Sequence, residues 1–86
     1  MTTRILVVDD ERSIRELLTK LLEQQGHEVI TADSVAEGVS ALAERRPDLV
    51  ICDLKLPDGS GLEVLESARR RQLTCPFIVI TAHTTP

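Results

Sequence analysis

The sequence predicts an α/β fold in which a parallel sheet is covered by helices on both faces. Two patterns carry that prediction. Short runs rich in β-branched residues fall at Arg4–Val8, Glu28–Ala32, Leu49–Cys52 and Phe77–Ile80, and the first, third and fourth lack polar alternation, as strands buried on both faces do. Between the runs, apolar side chains recur at spacings of three and four, which is the helical period. The resulting order is βαβαβαβ, with connections long enough for right-handed helical crossovers. Such alternation implies a parallel sheet between helical layers.

Each element has its own local warrant. After the first strand, Ile14, Leu17, Leu18, Leu21 and Leu22 form one apolar stripe, and Gly26 suits the left-handed cap that ends a helix. After the second strand, Ser34 and Glu37 have the Ser-x-x-Glu spacing of a capping box. Val35, Val39 and Leu42 continue that helix with a weaker stripe, and Pro47 stops it. Lys55-Leu56-Pro57-Asp58-Gly59 reads as a turn. Ser60 and Glu63 are a second capping-box pair, and Leu62, Val64, Leu65 and Ala68 carry the third helix. Thr74-Cys75-Pro76 is a break before the fourth strand. There is no linker, internal repeat or low-complexity stretch.

Composition narrows the function classes. The 86 residues fit one small domain, and 42% hydrophobic with 28% charged residues fits a folded chain rather than a disordered tail. Phe77 is the only aromatic residue, so the stacking platforms of single-strand nucleic-acid binders are missing. A net charge of −4 argues against direct nucleic-acid binding, and Arg69-Arg70-Arg71 is read as a solvated helix end. Cys52 and Cys75 are too few for a disulfide scaffold or zinc site and read as reduced thiols. No run approaches the roughly 18 apolar residues of a membrane span. No signal segment precedes the first strand. The expected location is therefore the cytoplasm, away from membranes.

In open α/β sheets, ligands bind beyond the carboxyl ends of the strands. Asp9 and Asp10, Asp53, and Thr81 all fall at such ends. Two carboxylates about 5 Å apart repel by roughly 3 kcal/mol at an effective dielectric near 20. Three together call for a proton or a cation. A small all-oxygen ligand set suits Mg²⁺, which accepts phosphate oxygens while keeping several waters. Carboxylates also act as nucleophiles and form aspartyl phosphates, and phosphoryl transfer needs mainly positioning and charge neutralisation.

These stretches resemble a known family. Ile5-Leu6-Val7-Val8-Asp9-Asp10-Glu11, Pro47-Asp48-Leu49-Val50-Ile51-Cys52-Asp53-Leu54, Leu56-Pro57-Asp58-Gly59-Ser60-Gly61 and Ile80-Thr81-Ala82 are similar, in order and spacing, to the receiver domain of two-component response regulators. The resemblance implies a flavodoxin-like three-layer sandwich with strand order 2-1-3-4. Residues 1–86 would be an incomplete receiver, its N-terminal two thirds, without the fifth strand and last helices. It implies that Asp53 accepts a phosphoryl group from a sensor histidine kinase. Asp10 would be a direct Mg²⁺ ligand, Asp9 would help directly or through water, and the Lys55 backbone carbonyl would complete the protein ligands. Thr81 would hydrogen-bond the phosphoryl group and switch inward, with the small Ala82 leaving room. The wording of the turn and of Thr81-Ala82-His83 is most similar to regulators whose output couples an ATPase of the enhancer-binding class to DNA binding. The family's fifth-strand lysine and aromatic switch have no counterpart here, because the only lysines are Lys20 and Lys55.

Such a chain would be a phosphoacceptor that assists its own chemistry, not a turnover enzyme. The alternative reading is a phosphorylation-impaired fragment that dimerises or exchanges strands through an exposed fourth strand, since apolar edges invite pairing. A phosphatase of the haloacid dehalogenase type would want Asp-x-Asp at the first strand, where this chain has Asp9-Asp10. A nucleotide binder would want a glycine-rich loop there, which is also lacking. Other polar residues read as structural: Asp48 at a strand entry, Asp58 in a turn, His27 facing solvent, and Arg12 on the surface. His83 adjoins the site in the family pattern.

Overall fold

The computed structural model describes residues 2–80. Along the chain run β1 (Arg4–Val8), α1 (Arg12–Gln24), β2 (Glu28–Ala32), α2 (Val35–Arg45), β3 (Leu49–Asp53), β4 (Lys55–Leu56), β5 (Gly59–Ser60), α3 (Gly61–Arg70) and β6 (Phe77–Ile80). Four strands form one parallel sheet in the order β2-β1-β3-β6, which is the predicted order once the short β4-β5 hairpin is set aside. That hairpin lies where the sequence reads a turn: Pro57 and Asp58 make the bend, and two residues pair on each side. β1 is central, and Ile5, Leu6, Val7 and Val8 are all buried.

Because side chains alternate along a strand, the sheet has two distinct faces. On one, Leu6, Val8, Ala32, Val50 and Cys52 form a continuous core with Leu42 of α2 and with Val64 and Ala68 of α3. On the other, Ile5 and Val7 lie under α1, which packs against β1 and β2. There α1 departs from the expected stripe. Ile14, Leu18 and Leu22 are half-buried, whereas Leu17 and Leu21 are about half exposed, at 53% and 48%. Among the described residues α1 is the only helix on that face, so its flank meets no second helix. β6 is likewise an edge strand with no fully buried residue, and Ile78 is 47% exposed.

The weak stripe of α2 has a different cause. Its buried line runs through Gly38 and Leu42 rather than Val39. A Cβ at position 38 would stand 3.3 Å from the Val8 side chain, so glycine is what lets this helix sit close to β1.

Helix ends follow local chemistry. At the end of α1, Gly26 takes φ +88°, and His27 N–H donates to the Leu22 carbonyl in a Schellman closure. α3 closes the same way with Gln72 at φ +59° and Leu73 N–H on the Ala68 carbonyl, a left-handed position that no glycine announces. α2 ends on Arg46 at φ +46°, just before Pro47. At α3 the Ser60–Glu63 box forms reciprocally, with the Glu63 carboxylate accepting from Ser60 N–H at 2.8 Å. At α2 only half forms: Ser34 Oγ accepts from Glu37 N–H, but the Glu37 carboxylate reaches one residue further back, to Asp33 N–H. His27 also departs from expectation, being half-buried with Nδ1 out of solvent and without a partner among the described residues.

Candidate metal and phosphoryl site

β1 and β3 are neighbours in register, with Val8 beside Cys52, so the residues that follow each strand emerge together at the carboxyl edge. Asp9 and Asp10 follow β1, and Asp53 closes β3. One carboxylate oxygen from each of the three lies within 4.8 Å of the others. Asp9 is buried, Asp53 half-buried and Asp10 exposed, so the cluster opens outward from a covered base.

The backbone fixes these side chains. Asp9 N–H donates to the Ala32 carbonyl at 3.0 Å, tying it to the end of β2. Its carboxylate accepts from Glu11 N–H at 2.9 Å. Burial pushes the Asp9 carboxyl above its ordinary range; the Glu11 N–H pulls the other way, and the charges of Asp53, Asp10 and Glu11 push it further up. The Arg15 guanidinium donates to the Asp9 backbone carbonyl at 2.8 Å, not to the carboxylate. Asp53 Oδ1 faces the Lys55 N–H at a loose 3.4 Å.

Beneath Asp53, Cys52 is fully buried, and its thiol is pushed up to about 12 by burial and then by the Asp53 and Asp9 charges. It is therefore an inert core thiol rather than a nucleophile. Gly61 sits against this strand end. Its N–H donates to the Leu54 carbonyl at 2.8 Å, and a Cβ there would collide with the Asp53 carbonyl oxygen and crowd Cys52 Sγ at 3.0 Å.

Among the described residues no side-chain cation forms an ion pair with the cluster; the Arg15 guanidinium stands on the Asp9 backbone carbonyl instead. The ion pairs among the described residues are Arg4–Glu28, Arg45–Glu28 and Arg12–Glu16, none of which involves Asp9, Asp10 or Asp53. Arg12 is thus a surface residue, as the sequence suggests. Asp48 is structural too: it takes the Arg4 N–H at 2.8 Å and staples β1 to the start of β3. Lys55 lies on β4, exposed and two residues beyond Asp53. Thr81, Ala82 and His83 lie outside the described residues. What sequence reasoning missed is Asp58, whose carboxylate accepts from Val35 N–H at 2.7 Å and from Ala36 N–H at 3.0 Å. A turn aspartate announces no partner more than 20 residues away.

This edge can be set beside known proteins. A family model described as the response regulator receiver domain matches residues 5–86. The chain belongs to the response regulator receiver domain family. Among curated proteins it is 42% identical over 82 residues to the alkaline phosphatase synthesis transcriptional regulatory protein PhoP of Bacillus subtilis, covering 95% of this chain and 34% of that protein. Among solved structures it matches the chemotaxis response regulator CheY4 of Vibrio cholerae with TM-score 0.91 and 30% identity, covering 100% of this chain and 73% of that one. It also matches the response regulator MaeR bound to beryllium trifluoride, with TM-score 0.84 and 32% identity, covering 99% of this chain and 70% of that one. The receiver chain thus spans about a third of the length of PhoP. The flavodoxin-like order of its sheet is that of its structural neighbours.

Proposed function

We propose that this receiver accepts a phosphoryl group on Asp53 from the phosphohistidine of a sensor kinase and passes the change of state to an output partner. The observation that carries this reading is the cluster of Asp9, Asp10 and Asp53 within 4.8 Å, with no ion pair to any of them among the described residues. The donor set suits Mg²⁺: oxygen ligands only, from three carboxylates that open outward from the buried Asp9. Asp10 and Asp53 would hold the ion directly, Asp9 directly or through water, and the Lys55 backbone carbonyl would complete the set. Mg²⁺ bound there supplies charge neutralisation between the carboxylates and an incoming phosphoryl group.

In the transfer, an Asp53 oxygen forms the new bond to phosphorus as the bond from phosphorus to the histidine nitrogen breaks, and the imidazole leaves as the acceptor of a proton. The position of Asp53 at the end of β3, with buried Cys52 before it and Gly61 close against its carbonyl, supports that role. Family likeness assigns Thr81 the hydrogen bond to the phosphoryl group and the inward switch. MaeR, which shares this fold, is bound to beryllium trifluoride, a mimic of a phosphoryl group. The name of PhoP supports a transcriptional output, and the likeness of the turn is our ground for an output that couples DNA binding to an ATPase. The chain would act as a stoichiometric acceptor rather than a turnover enzyme. No helix among the described residues is long and apolar enough to cross a membrane, and we place the chain in the cytoplasm as part of this proposal.

Self-association through β6 has one observation in its favour, the exposure of Ile78 and Val79 at an edge strand. The family match over residues 5–86 favours the signalling role as the function.

The test is incubation with Mg²⁺ and acetyl phosphate, read by intact mass, with Asp53→Asn as control. The expected result is one phosphoryl adduct, dependent on Mg²⁺ and lost in the variant. An adduct that persists in Asp53→Asn would overturn the assignment.

A further inference from the structure

A turn residue outside the acidic cluster closes a circuit, through two hydrogen-bonded junctions and the chain between them, that starts and ends at the cluster. We propose that Asp58 is a positioning residue that holds the loop carrying the Lys55 carbonyl in place relative to Asp9 and Asp53. The inference rests on the metal site proposed above and deepens it.

The circuit can be followed step by step. Asp9 N–H donates to the Ala32 carbonyl, so the cluster's buried carboxylate is fastened to the end of β2. From Ala32 the chain passes through Asp33 and Ser34 into α2, whose first turn exposes unpaired N–H groups. Ser34 Oγ and the Ser34 carbonyl satisfy the Glu37 and Gly38 N–H groups. The Val35 and Ala36 N–H groups are left, and the Asp58 carboxylate accepts both, at 2.7 and 3.0 Å. From Asp58 the hairpin leads back through Leu56 and Lys55 to Asp53.

The loop has other anchors, but they fix different directions. Leu56 is sunk into the core beside Val64 and Ala68, Leu54 N–H bonds the Ile80 carbonyl, and the Leu54 carbonyl takes Gly61 N–H. These hold the loop to the sheet edge and to α3. Asp58 alone, among the hydrogen bonds of the described residues, links the loop to α2 and thereby to the segment that steadies Asp9. The Asp53 contact to Lys55 N–H is a loose 3.4 Å, so Asp53 itself does little to fix residue 55. The carboxylate also complements the positive end of the α2 dipole. Its pKa is held below the ordinary range, first by the Val35 N–H and then by the Ala36 N–H, which fits an ionised strut at neutral pH.

The competing explanation is that Asp58 merely caps α2. Ser34→Ala separates the two, because it strips a cap from the same helix terminus without touching the hairpin. Mg²⁺ dissociation constants by titration calorimetry and melting temperatures would be measured for the wild-type chain, Asp58→Ala, Asp58→Asn and Ser34→Ala. Hydrogen exchange across residues 54–60 would be followed without metal. Asp58→Ala should weaken Mg²⁺ binding about tenfold, the low end of what losing outer support costs a metal site. It should also speed exchange over residues 54–60. Asp58→Asn, which keeps one acceptor oxygen, should recover part of both. Ser34→Ala should lower the melting temperature while leaving Mg²⁺ binding unchanged.

Equal Mg²⁺ binding by wild type and Asp58→Ala overturns the inference while leaving the metal site intact. Equal losses of binding in Asp58→Ala and Ser34→Ala overturn it too, in favour of simple capping. If the wild-type chain binds no Mg²⁺, the site reading fails first and takes this one with it.

Discussion

The two ends of one sheet handle charge in opposite ways. At the amino end, Arg4 and Arg45 converge on Glu28 at 3.2 and 3.0 Å, and Arg4 donates to the Arg45 carbonyl. Asp48 there is answered by the Arg4 N–H. At the carboxyl end, a few strand residues away, Asp9, Asp10 and Asp53 lie within 4.8 Å of one another, with no ion pair to them among the described residues. The first arrangement is paired within the chain, and the second is the one that the proposed Mg²⁺ would complete. Exposed ion pairs contribute little to stability, so the amino end is better understood as register control than as strength. Uncompensated like charges cost stability, a cost that the proposed Mg²⁺ would offset.

Substitutions at the two ends should behave differently. The largest effect should come from Gly61→Ala, which drives a methyl group into the Asp53 carbonyl and Cys52. It should destabilise the chain by about 2 kcal/mol in denaturant unfolding, as overpacking does, and it should impair Mg²⁺ binding as well. Next, Asp9→Asn removes a buried charge while keeping an oxygen for the Glu11 N–H. The metal-free chain should become more stable by roughly 1 kcal/mol, a fraction of the repulsion expected between close carboxylates. A loss of stability instead would mean that the carboxylate is already compensated.

The same residue sets a pH dependence. The Asp9 carboxyl is raised above its ordinary 3.8 in the folded chain, so the folded form holds that proton more tightly than the unfolded one. Its contribution is therefore fully present at low pH and is lost as pH rises through the folded value. Between 3.8 and that value, the metal-free wild type should lose stability with rising pH relative to Asp9→Asn. Asp58 acts with the opposite sign: its depressed carboxyl stabilises above 3.8, and that contribution is lost as pH falls through the folded value. The smallest effect belongs to the amino end. Glu28→Gln should cost only about 0.5 kcal/mol, and Mg²⁺ binding should not respond.

The carboxyl-edge cluster was legible in the sequence because its parts are local. A β-branched run followed by Asp9-Asp10, and another followed by Asp53, need only the parallel-sheet rule to be brought together. The helix starts were legible for the same reason, since Ser34 and Ser60 cap within their own turn. What escaped were features decided between distant segments. Gly38 carries no stripe signal because its use is a close approach to Val8. Asp58 reaches α2 across a gap that no periodicity spans. Leu17 and Leu21 fit the helical period, yet burial depends on what packs beside a helix, which periodicity does not report. Arg46 and Gln72 occupy left-handed positions that a glycine would have advertised.

Titration calorimetry with Mg²⁺ on the wild-type chain, Asp53→Asn and Glu28→Gln tests the central contrast most directly. One site is expected in the wild type and in Glu28→Gln, with marked weakening in Asp53→Asn. Undiminished binding in Asp53→Asn, or a loss caused by Glu28→Gln, would contradict it.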